Sequence, residues 1–143
     1  MGNPFVHIEL NTDDVGAAKK FYKKLFDWKL EDVPSASYTM VWVGKGGANG
    51  GMNKKPMPEA PNHWLSYIEV ASVKKTVAAA AKAGGTVIVP FHDIGEMGYI
   101  GVISDPQGAV FGIWEKRAKK AAKKGAKKAS KKKPAKKASK KKR

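Results

Sequence analysis

Residues 5–10, Phe5-Val6-His7-Ile8-Glu9-Leu10, alternate apolar with polar side chains, the period of a strand with one buried face. Thr12, Asp13 and Asp14 then offer N-cap oxygens to a helix whose apolar positions, Val15, Ala18, Phe21, Tyr22, Leu25 and Phe26, recur at three and four residues. Shorter strands are predicted at 28–31, 38–43 and 51–54, separated by Pro34-Ser35 and by the glycine-rich stretch from Gly44 to Gly51. That stretch lacks the Lys-Ser/Thr and following helix of a phosphate loop, so it reads as a hairpin connection. Pro56, Pro58 and Pro61 mark a connector, after which the same order starts again. A strand at 65–70, a cap at Ser72, a helix at 73–83 ended by Gly84-Gly85, and strands at 86–91, 99–104 and 110–115 complete the pattern.

Residues 14–28 match 72–86 without a gap, so a β-α-β-β-β unit occurs twice. Neither unit buries both faces of its sheet alone, and the two are expected to pack side by side. The predicted class is α+β: two tandem βαβββ modules, about 3–55 and 63–116, forming a curled mixed sheet around a cleft within a domain of residues 1–116. This order, with Asp14-Val15 seven residues ahead of Phe21-Tyr22, the run Leu25-Phe26-Asp27-Trp28 and the turn Asp105-Pro106-Gln107-Gly108, resembles the vicinal oxygen chelate superfamily, the glyoxalase/bleomycin resistance/dioxygenase fold. The resemblance covers nearly all of residues 3–116. It specifies fold better than function, because that superfamily hosts isomerases, dioxygenases, thiol transferases and inert drug-binding proteins.

The resemblance implies a divalent metal in the cleft, held by His or Glu on the first and last strands of each unit. His7 stands where the first ligand belongs. Leu65, Gly112 and the Gly51-Met52 region stand at the other three positions and offer no ligand, and one imidazole cannot hold a catalytic ion. A displaced set of His7, Glu9 and His63 is the alternative, since a two-residue offset from Leu65 to His63 keeps the same strand face. The expectation is therefore an apolar pocket without a cofactor, the rival being a divalent metal at His7/Glu9/His63. The ligand-binding candidates are His7, Glu9, Met52, His63, Tyr67, Gly112 and Trp114, with Trp42 and Tyr99 as further lining. Gly112 is expected to leave space where the superfamily carries a larger side chain. The competing reading is that these aromatics are packed core with no room for a ligand. His92-Asp93 is expected in a turn or in a mobile rim over the cleft, where a general acid–base role for His92 has no identified partner.

Charge divides the chain in two. Residues 116–143 hold 17 of the 28 Lys/Arg and no acid, leaving 11 against all 12 Asp/Glu in the remainder. The formal charge of +16 therefore belongs to the C-terminal segment. There Ala-Lys-Lys recurs at 118, 122, 126 and 135, and Ala-Ser-Lys-Lys-Lys at 129 and 138, so residues 117–143 are expected to be disordered. The composition resembles the tails of linker histones and histone-like bacterial proteins. Lys119, Lys120, Lys123, Lys124, Lys127, Lys128, Lys131, Lys132, Lys133, Lys136, Lys137, Lys140, Lys141, Lys142 and Arg143 would bind DNA or RNA phosphates without reading sequence, no aromatic being interleaved to stack on bases. An anionic membrane is the rival partner, and a mere solubility extension the bland alternative.

The absence of cysteine excludes disulfides and thiolate chemistry, and no apolar run approaches a bilayer's width. The expected address is cytoplasmic, with nucleoid association through the tail. Three functions follow for comparison: a glyoxalase-like small-molecule-binding domain with a nucleic-acid-binding tail, a metal-dependent glyoxalase- or dioxygenase-type enzyme with a rearranged His/Glu site, and a nucleoid-associated structural protein whose domain only mediates self-association. A homodimer is a separate expectation for the chain under any of them.

Overall fold

The computed structural model describes residues 2–119. Eight strands, β1 (Phe5–Thr12), β2 (Lys29–Val33), β3 (Tyr38–Trp42), β4 (Gly50–Lys54), β5 (His63–Glu69), β6 (Thr86–Asp93), β7 (Tyr99–Ser104) and β8 (Val110–Glu115), join in one sheet of order β2-β3-β4-β1-β5-β8-β7-β6. Two helices, α1 (Val15–Leu25) and α2 (Val73–Lys82), follow β1 and β5. Of the tail expected to be disordered over 117–143, residues 120–143 lie outside the described residues, while Arg117 is held by bonds to Gly95 and Asp93, which corrects the expected start of that tail.

Strand β1 runs parallel to β4, and β5 parallel to β8, while β1 and β5 meet antiparallel at the centre. Parallel neighbours need a long crossover, which α1 and α2 begin in each case. Each helix starts on the cap expected of it: the Asp14 carboxylate accepts from the Ala17 N–H at 2.9 Å, and the Ser72 hydroxyl from the Lys75 N–H at 3.3 Å. Just beyond α2 the chain turns at Gly84, whose φ of 90° lies in the region that side chains disfavour.

The helix side of the sheet carries the core. Leu10, Val41 and Met52 pack with Val15, Ala18 and Tyr22 beneath α1, and Val73, Ile103 and Ile113 pack with Val77, Ala80 and Phe111 beneath α2. The apolar stripe of α1 is narrower than its spacing predicts. Phe21 and Leu25 are 57% and 56% exposed because they lie on its flank, and Phe26 falls just past the helix as its C-cap. At the edge of this core, Tyr22, Phe26, Trp28 and Trp64 form an aromatic group, with Phe26 and Trp28 stacked at 4.7 Å.

Several strands run further than alternation suggests, because partner strands supply hydrogen bonds that composition does not reveal. Strand β1 continues to Thr12 by pairing with Lys54, and β5 begins at His63 by pairing with Asn11. Strand β6 continues through His92 and Asp93, paired with Ile100 and Tyr99, which corrects the expected turn at that point. No helix among the described residues is long and apolar enough to cross a membrane.

Candidate ligand-binding cleft

Residues paired across a sheet share one face. The register therefore sets His7, Glu9 and Asn11 of β1 beside Tyr67, Leu65 and His63 of β5, and Met40 of β3 beside Gly51 of β4. On this face, away from the helices, lies a cavity of about 520 Å³. Val6, Val33, Ala36, Met40, Ile94, Met97 and Ile100 supply apolar wall, and His7, Glu9, Tyr38, Asn53, Tyr67, His92 and Trp114 complete the lining. A register shift between Phe5 and His7 lets both Val6 and His7 reach it.

Four of these side chains form one hydrogen-bonded cluster. The Tyr38 hydroxyl donates to Glu9 Oε2 at 3.0 Å and lies 2.7 Å from His7 Nε2. Glu9 Oε1 accepts from the Tyr67 hydroxyl at 3.4 Å and from Asn11 Nδ2 at 3.3 Å. A hydroxyl has one hydrogen, so Tyr38, having given it to Glu9, can only accept from His7. With Glu9 ionised, His7 carries its proton on Nε2, and its Nδ1 is an acceptor. Three donors converging on Glu9 favour its carboxylate form, since a carboxylic acid would need one of the tyrosine hydroxyls to accept instead.

Burial governs the titration of the cluster. It holds Glu9 above the ordinary carboxylate range, offset by the hydrogen bonds from Tyr38, Asn11 and Tyr67 and by the field of His63. It holds His7 below the ordinary imidazole value. Both tyrosines are pushed up by burial and then by the adjacent Glu9 charge, so they act as donors throughout the physiological range. A base depressed by folding is protonated more readily in the unfolded chain. The His7 contribution is thus undiminished above about pH 6.5 and destabilises as pH falls from there toward the folded value. Glu9, raised by folding, acts oppositely: its cost appears as pH rises through its folded value and is relieved as pH falls. His7→Asn should therefore lose less stability than the parent between pH 7.5 and pH 5.5, measured by urea midpoints. An unchanged difference would show that His7 is not buried as a neutral ring.

Two glycines shape the cluster. A Cβ on Gly51 would lie 1.8 Å from the Tyr38 hydroxyl oxygen, and one on Gly112 would lie 2.3 Å from Tyr67 Cδ1. Each glycine is the floor on which a tyrosine ring lies. This corrects the expectation that Gly112 opens the cavity: its missing side chain admits Tyr67, directly opposite on β5, and Gly112 itself is buried.

The other predicted residues divide. His7, Glu9, Tyr67 and Trp114 line the cavity as expected. Met52 does not: it is fully buried beneath α1 with Leu10 and Val41, because its neighbour Gly51 takes the cleft-facing parity of β4. His63 shares the cleft face but lies beyond the cavity wall, its Nδ1 2.8 Å from the Pro61 carbonyl oxygen. Tyr99 faces the α2 core, one residue out of phase with the wall residue Ile100. His92 enters the wall because β6 extends that far. Tyr38, which completes the cluster, and Asn53 escaped the sequence reading. Alternation marks Tyr38 as a strand residue but cannot say that it reaches His7, 31 residues away. A smaller hollow of about 330 Å³ beside α1 is flanked by Asp13 and Asp14, already engaged with Lys55 and the helix cap.

The donor set does not fit the metal site that the resemblance implies. Of its four positions only His7 is a ligand type; Leu65 is buried opposite Glu9, and the two glycines lie under tyrosine rings. Among the described residues no three His, Cys, Asp or Glu side chains converge as a metal-holding group.

The wall is completed by a braced rim. Trp114 Nε1 donates to the Met97 carbonyl at 2.8 Å, and Arg117 Nε to the Gly95 carbonyl at 2.7 Å. The Arg117 guanidinium also pairs with Asp93 and lies over the Tyr99 ring at 4.5 Å.

Comparison with known proteins agrees with this architecture. The chain is 37% identical to CFP32 of Mycobacterium tuberculosis, provisionally named a glyoxylase, over 115 aligned residues that make up 76% of this chain and 44% of that protein. It is 26% identical to the anthracycline biosynthesis protein DnrV of Streptomyces peucetius, covering 45% of it, so the chain spans less than half the length of these relatives. Among solved structures, methylmalonyl-CoA epimerase from Mycobacterium tuberculosis superposes with a TM-score of 0.60 at 11% identity, over 80% of this chain and 88% of that one. A hypothetical protein, BH1468 from Bacillus halodurans, gives 0.60 at 17% identity over 83% and 98%. Residues 5–113 match the family described as the Glyoxalase/Bleomycin resistance protein/Dioxygenase superfamily. The chain belongs to that superfamily.

Proposed function

We propose that this chain is a small-molecule-binding member of the glyoxalase superfamily that works without a cleft metal and is attached to nucleic acid by its basic C-terminal segment. Its domain is residues 1–116, in two βαβββ halves of about 3–55 and 63–116. The observation that carries the binding function is the cavity of about 520 Å³ built around the His7–Tyr38–Glu9–Tyr67 cluster. Apolar walls with a few convergent polar groups are the usual make-up of an organic ligand site, and this volume suits a small one. Relatives named for a glyoxylase and for anthracycline biosynthesis show that family membership alone does not choose a chemistry.

A thermal-shift screen of small aromatic and heterocyclic compounds on the full chain tests the reading. A true ligand at about 100 times its Kd stabilises the domain by about 2.7 kcal/mol. Hits should bind saturably and disappear in Trp114→Ala, whose fold is checked by circular dichroism. No saturable binder would remove the support for a binding module. The metal-free half has its own test. Extensive chelation should leave the melting temperature unchanged, and added Zn, Ni or Mn should not raise it. Near-stoichiometric metal lost on His7→Ala or His63→Ala would instead favour the rearranged-site enzyme.

The nucleic-acid reading concerns residues 117–143, whose charge density favours any phosphate backbone, and it carries the proposed nucleoid association.

A further inference from the structure

We propose that the cavity selects a ligand bearing a protonated amine on an apolar body, its N–H donated to His7 Nδ1 within the field of Glu9. The assignment rests on the binding-cavity reading above and adds the sign and chemistry of what enters.

Hydrogen-bond direction is the first argument. With Glu9 ionised, the chain of donors runs from His7 Nε2–H to the Tyr38 hydroxyl to Glu9 Oε2, with Tyr67 and Asn11 donating to Oε1. The cluster's donors are therefore turned inward on Glu9, and what it leaves for a ligand is an acceptor, His7 Nδ1. No buried side-chain nitrogen or oxygen among the described residues lacks a partner, so an unbonded Nδ1 has access to solvent-sized space, and His7 lines the cavity. A carboxylate ligand would find lone pairs facing lone pairs here.

Charge is the second argument. Glu9 is the one carboxylate on the cavity wall, and that wall holds no Lys or Arg. The ion pairs among the described residues, Lys19–Asp32, Lys55–Asp13 and Arg117–Asp93, leave Glu9 out. An ionised group withdrawn from water without a counter-ion is costly, and a bound cation offsets that cost. The third argument is the aromatic wall. Tyr38, Tyr67 and Trp114 line the same cavity, and the Trp114 N–H is already given to Met97, so its ring system is what remains for a cation to meet.

Isothermal titration of the full chain at 150 mM salt, where fields beyond about 8 Å are screened, tests this with matched probes. The ammonium, alcohol and carboxylate forms of phenylmethyl and naphthylmethyl bodies are compared. The ammonium should bind at least tenfold more tightly than the alcohol on one body or both, and the carboxylate should not bind. Glu9→Gln should bring the ammonium down to the alcohol's level. Alcohol or carboxylate binding as tightly as ammonium in the parent protein would overturn the cation assignment while leaving the cavity a binding site. Failure of all six probes would overturn the assignment together with the binding-cavity reading.

Discussion

Deleting residues 119–143 should abolish binding to duplex DNA while leaving the folded domain's melting temperature unchanged. The deletion removes 15 of the 28 Lys/Arg and no acid, so 13 basic residues stand against 12 acidic ones in what is left. The cut is placed after Ala118 because Arg117 bonds Gly95 and Asp93 and so braces the cavity rim; a shorter fragment would confound DNA affinity with damage to the wall. In the full chain, if about 8 to 12 side chains meet phosphates, log K should fall against log salt with a slope of about −7 to −11. Scrambling residues 119–143 at fixed composition should preserve that slope, since counterion release depends on charge number and not on order. Electrophoretic mobility and fluorescence anisotropy over a salt series would decide. Affinity retained by the truncated chain, or a strong sequence preference, would move recognition into the domain and overturn the two-part division.

The second large effect is expected at the glycine floors. Gly112→Ala places a methyl carbon 2.3 Å from the Tyr67 ring, and Gly51→Ala places one 1.8 Å from the Tyr38 hydroxyl. Neither ring can stay where it is, so each substitution should cost about 1–3 kcal/mol of stability from overpacking. Each should also remove one donor from Glu9, leaving a buried carboxylate less well solvated. Cavity ligands should weaken at least tenfold in both variants. Double-mutant cycles with Tyr67→Ala and Tyr38→Ala separate clash from general damage, because either partner truncation vacates the space the new methyl needs. Coupling of 1 kcal/mol or more in urea denaturation is expected within each pair, in the range seen for residues in contact. Additive effects would mean that the rings do not lie on these glycines.

The domain's order of elements is legible in its sequence. Alternation located the strands, the helix caps at Asp14 and Ser72 were readable residue by residue, and the repeat of 14–28 in 72–86 announced a second round of the same elements. These features are local: period, cap chemistry and turn residues act within a few positions and survive in the string of letters. The division of charge at residue 116 is likewise a property of composition. Four of the seven candidate ligand residues, His7, Glu9, Tyr67 and Trp114, lie on the cavity wall, where strand parity points them.

The remaining decisions belong to tertiary structure. Met52 and Gly51 are adjacent, and sequence could not say which faces the cleft; the parallel register with β1 sets Gly51 beside Glu9 and sends Met52 to the core. Gly112 suggested a void, but a glycine states only what its own residue lacks, and Tyr67 on the neighbouring strand fills the space. Tyr38 joined the site through a hairpin register and a ring long enough to reach His7 across the one intervening strand, β4. Sequence thus determined the elements, their order and the segregation of charge, because those depend on neighbours along the chain. The cavity, the tautomer of His7 and the convergence of donors on Glu9 depend on which residues meet across β1, β3, β4, β5 and β8, and only the folded sheet decides that.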